Sequence, residues 1–115
     1  MMQSKWVRVG SVRRFDHVAP DKEQALKPLE EAAEVFGAWQ EMEREHAKCL
    51  AYGNESSGDG DAVAWREVVL DECADIIQAT LNLVAALGVE DFRPLMDACE
   101  RRNRERGRIT DGVGE

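Results

Sequence analysis

Apolar residues recur at helical spacing along most of this chain, and breakers divide the pattern into three helices. A first helix is predicted from an N-cap at Asp21 to about Tyr52. Pro28 sits inside it, where the helix either kinks or restarts. Its main apolar stripe is Leu29, Ala32, Ala33, Phe36 and Trp39. A second strip, Val35, Ala38, Met42 and Cys49, lies on another side. A second helix is predicted over roughly Asp61 to Leu87, stopped by Gly88. Its stripe is Trp65, Val68, Val69, Ile76, Ala79, Leu83 and Ala86, with Asp71, Glu67 and Gln78 on the opposite side. Asp91 is the expected cap of a third helix with Pro94 in its first turn, running to about Arg106 and ended by Gly107. Phe92, Leu95 and Cys99 mark its inner side.

Outside these helices the pattern changes. Residues 1–20 combine Trp6, Val7, Val9 and Val12 with Gly10 and Pro20, which predicts an extended arm or short strand. Residues 53–61 are rich in Gly, Ser and Asp and read as a loop; residues 109–115 read as a tail. The expected architecture is therefore all-α, with one helical domain over residues 21–108. Helices that are apolar on more than one face cannot bury that surface within one small monomer. A homodimer or dimer of dimers, completing a four-helix-type core, is the expected remedy.

Composition adds three constraints. With 23 acidic against 15 basic residues the net charge is −8, which disfavours a nucleic-acid duplex as partner. Cys49, Cys73 and Cys99 are dispersed and form no CxxC pair, so they read as reduced core residues of a cytoplasmic protein. There is no apolar run of signal-peptide or membrane-span character.

The chemistry is carried by acids on apolar faces. Glu72 falls near the middle of the second helix's stripe, and Asp75 lies at its edge one turn on. A carboxylate in such a place must be protonated, paired or metal-bound. On the first helix Glu31 and Glu34 border the second apolar strip. Each helix thus carries two carboxylates on adjacent turns of one face. Packed antiparallel, the helices would converge four acids, Glu31, Glu34, Glu72 and Asp75. An all-oxygen donor set favours Mg²⁺ or Mn²⁺ over zinc. Mg²⁺ commonly completes its shell with water and phosphate oxygens, which points to a phosphorylated substrate. The inner side of the third helix continues to Arg102, Asn103 and Arg106, where guanidinium groups could meet phosphate.

The run Leu29-Glu30-Glu31-Ala32-Ala33-Glu34-Val35, followed by Asp71-Glu72-Cys73-Ala74-Asp75 and the basic end Asn103 to Gly107, resembles the EExxE, ExxD and C-terminal elements of the MazG family of nucleotide pyrophosphohydrolases. The resemblance spans roughly residues 21–108. It implies an all-α enzyme that hydrolyses a nucleoside triphosphate or deoxynucleoside triphosphate to the monophosphate and pyrophosphate. By motif position, Glu31, Glu34, Glu72 and Asp75 would hold Mg²⁺ and carry catalysis, and Glu30 and Asp71 would orient ligands or a water. Arg102, Asn103 and Arg106 would contact substrate. It further implies oligomers in which helices of two chains build the site. The gap between the two acidic motifs is longer than usual for that family, and the arm lies outside its core pattern.

Other readings share parts of this pattern. A phosphoribosyl-ATP pyrophosphohydrolase belongs to the same superfamily. A di-iron bundle would use Glu43-x-x-His46, but needs a second such element that the sequence lacks. A non-catalytic helical interaction module would leave the acids solvated.

Overall fold

A computed structural model describes residues 4–52 and 55–110. Among the described residues three helices follow one another: α1 (Lys22–Tyr52), α2 (Glu55–Ala86) and α3 (Arg93–Glu105). No strand occurs among the described residues, and the chain is all-α as its pattern predicts. Residues 4–20 have no regular secondary structure, and the tail beyond Thr110 lies outside the described residues.

The helix ends follow local chemistry. The Asp21 carboxylate accepts the Gln24 backbone N–H at 2.8 Å, capping α1. Pro28 lies within an unbroken α1. At the end of α2, Gly88 takes φ +86° while the N–H of Val89 reaches back to the Val84 carbonyl at 3.2 Å. Gly107 repeats this after α3 with φ +75°, and the Arg108 N–H bonds the Asn103 carbonyl at 2.9 Å. Both are left-handed terminations that glycine adopts without a Cβ penalty. Asp91 stands one residue before the N-cap of α3, which is Phe92. Its carboxylate still accepts the Arg93 backbone N–H at 3.1 Å and the guanidinium at 2.9 Å, which holds its pKa down to about 2.

One boundary differs from expectation. The Gly/Ser/Asp segment read as a loop through Asp61 is helical from Glu55 onward. Each glycine weakens a helix by about 1 kcal/mol relative to alanine, but propagation of a helix already nucleated in the long apolar stretch tolerates that.

α1 and α2 pack as an antiparallel hairpin. Ala38 and Cys49 of α1 and Ala79 of α2 are buried at the seam, flanked by half-buried Val35, Met42, Ile76 and Leu83. Small residues there let the two backbones approach. The strip of α1 facing α2 is therefore Val35–Ala38–Met42–Cys49. The main stripe, which sequence pattern would place in the core, is turned outward, with Leu29 67% and Phe36 61% exposed. α3 packs against neither α1 nor α2 and buries no residue, although one side is apolar. The result is a flat molecule of 53 × 47 × 22 Å.

Candidate metal centre

The acids converge where the two helices face each other. Carboxylate oxygens of Glu31 from α1 and of Glu72 and Asp75 from α2 all lie within 4.8 Å of one another. Glu34, one turn beyond Glu31, is in hydrogen-bond reach of both Glu31 and Glu72. Glu31 and Glu72 are half-buried, and Asp75 and Glu34 are exposed at the rim. The Glu72 Oε2 atom is buried with no hydrogen-bond partner.

Electrostatics at this point run against the anionic form. Burial raises the pKa of both Glu31 and Glu72, and the hydrogen bond and charge of Glu34 and the charge of Asp75 raise them further. A divalent ion would relieve the same repulsion. The residues fit such an ion on three counts. The donors are hard oxygens, their spacing suits a common centre, and one oxygen is otherwise orphaned inside the protein.

The remaining predicted residues stand elsewhere. Glu30 is exposed and pairs with Lys27 at 3.3 Å, and Asp71 is exposed on the outer side of α2. Arg102 and Arg106 are exposed on α3, with no ion pair to the acidic group. Asn103 is half-buried, its Nδ2 donating to Cys99 Sγ at 3.5 Å. A single chain thus gathers the acids but not the basic end of α3.

Two features went unread in the sequence. Lys27, one turn before Glu31, adds a positive charge whose field reaches Glu31. Asn82 is only 2% exposed, the most deeply buried polar residue described. Its position within the apolar run Ile76 to Leu87 was the available signal.

Comparison with protein-family models, with curated proteins and with solved structures finds no match for this chain.

Proposed function

We propose that this protein is a Mg²⁺-dependent nucleoside triphosphate pyrophosphohydrolase of MazG type, acting in the cytoplasm as a homodimer or dimer of dimers. The observation that carries the reading is the convergence of Glu31, Glu72 and Asp75 oxygens within 4.8 Å, together with the partnerless buried Oε2 of Glu72. Solvated surface acids have no reason to leave an oxygen in that state. The motif resemblance supplies the reaction class.

In this reading Glu31, Glu72 and Asp75 hold the ion. An ion held there would supply Lewis-acid polarisation of the phosphate oxygens and of a bound water. Glu34 borders the group without belonging to its tightest triad, and it accepts the proton of the attacking water. The water oxygen bonds to the α-phosphorus, the bond to the bridging oxygen breaks, and pyrophosphate departs with the electron pair. Arg102, Asn103 and Arg106 come to the site from a second copy's α3, where they balance charge in the transition state.

The test is direct. The purified chain is incubated with each nucleoside and deoxynucleoside triphosphate and Mg²⁺, and both products are identified. Monophosphate and pyrophosphate in equal amounts support the reading; orthophosphate as the product, or no turnover of any substrate, overturns it.

A further inference from the structure

The N-terminal arm does not hang free along its whole length. The Phe15 backbone N–H donates to Asn82 Oδ1 at 3.0 Å. Gln78 Nε2 donates to the same oxygen at 3.0 Å and to the Arg13 carbonyl at 3.0 Å. Val12 and Val18, on either side of these contacts, are half-buried. Both anchoring side chains lie on α2, Gln78 one turn past Asp75 and Asn82 one turn further. Asn82 Oδ1 has both lone pairs engaged, and the Gln78 amide spends both its hydrogens on this contact.

What the arm does next gives this anchorage a purpose. Immediately after the clamped residues, His17, Val18 and Ala19 form one wall of an open cleft of about 280 Å³. The other wall is the start of α1, with Asp21, Glu23, Gln24 and Lys27. Lys27, at the end of this wall, lies one helical turn before Glu31, and its charge acts on that carboxylate.

We propose that Asn82 and Gln78 are positioning residues: they hold residues 13–19 as a fixed wall beside the acid cluster and thereby set the affinity for the part of the substrate beyond its phosphates. The inference rests on the hydrolase reading for its substrate. Neither residue touches the reacting atoms. A pre-ordered wall spares the substrate the entropy of ordering the arm on binding.

The experiment uses the full chain and two near-isosteric variants, Asn82→Leu and Gln78→Met. Limited trypsin digestion at Arg13 and Arg14 reads the arm, since cleavage follows the population of the released state. Losing the buried acceptor in Asn82→Leu should speed cleavage about tenfold. With the preferred triphosphate, KM should rise about fivefold or more in both variants while kcat stays within about twofold. Stabilisation by Mg²⁺ should be unchanged, because the carboxylates are untouched. General damage to the fold would instead lower kcat and Mg²⁺ stabilisation together. Should Asn82→Leu lose its helical circular dichroism, Gln78→Met, at a half-exposed site, carries the test alone. Wild-type cleavage rates in the folded variants, or a released arm with unchanged KM, overturn the inference. If the wild-type chain turns over no triphosphate, the hydrolase reading fails and the affinity half of this inference with it, whereas the clamp itself is decided by trypsin alone.

Discussion

At the scale of single residues the protein holds a conflict of like charges. Glu31 and Glu72 have raised pKa values, first from burial and then from Glu34 and Asp75. The folded state therefore binds more protons than the unfolded chain between the ordinary glutamate pKa of about 4.3 and the raised values. The contribution of these two groups to metal-free stability should be fully present below that window, be lost as pH rises through it, and stay absent above it. Thermal unfolding in EDTA across the pH range checks the sign; stability that rises through the window would contradict it. At neutral pH, Mg²⁺ at a hundredfold excess over its Kd should raise the melting temperature by about 10 °C, since it binds only the folded chain. Glu72→Gln separates these effects. Removing one charge from the repelling group should stabilise the metal-free protein at pH 8, yet abolish both the Mg²⁺ response and pyrophosphate release. A variant that keeps turnover would exclude Glu72 from the mechanism.

At the scale of elements, α2 and α3 each terminate through a left-handed glycine. Gly88 at φ +86° has open space where a Cβ would go, so its constraint is conformational and not steric. Gly88→Ala should cost about 1 kcal/mol in stability, measured by urea titration, with no change in the midpoint expected only if φ at this position were negative. The helix boundaries set by Asp21, Gly88, Pro94 and Gly107 were legible because each rests on interactions a few residues long. So was the meeting of Glu31 with Glu72 and Asp75, because acids on an apolar stripe reveal a shared interior. Which face of α1 meets α2 was not legible. Leu29, Phe36 and Trp39 form the greasier stripe, but small Ala38 against small Ala79 permits closer backbone packing, and the bulky side chains face outward. The clamp at Asn82 was also hidden, because it depends on where an irregular arm crosses α2, a contact between residues 67 positions apart. The placement of α3 shows the same limit. Its amphipathic pattern was evident, but pattern alone does not say whether the complementary surface belongs to the same chain.

At the scale of the whole molecule, the chain is more open than a compact monomer of its length. Its accessible surface is 9384 Å², against about 6,300 Å² expected for a monomer of this mass. Its radius of gyration is 18.3 Å, where a compact chain of this length would have about 13 Å. The excess surface is at least what an obligate partner covers, about 1,000–2,500 Å² per chain. It includes Leu29, Phe36 and Trp39 on α1 and Leu95 and Met96 on α3. In the proposed assembly, the outward face of α1 would be covered by α3 of another copy. The protein should sediment as a dimer or larger at micromolar concentration. Its melting temperature should rise with protein concentration, because dissociation and unfolding are then one equilibrium. Phe36→Glu is the sharper probe. The residue is 61% exposed in one chain, so as a monomer surface site the change should alter stability by no more than about 0.5 kcal/mol. At a buried interface it places a charge in an apolar contact and should lower the association state and triphosphate turnover together, since the basic end of α3 would no longer reach the acids. A wild-type chain that sediments as a monomer and melts cooperatively at a temperature independent of concentration would refute the proposed assembly, and with it the route by which Arg102 and Arg106 would reach the candidate metal centre.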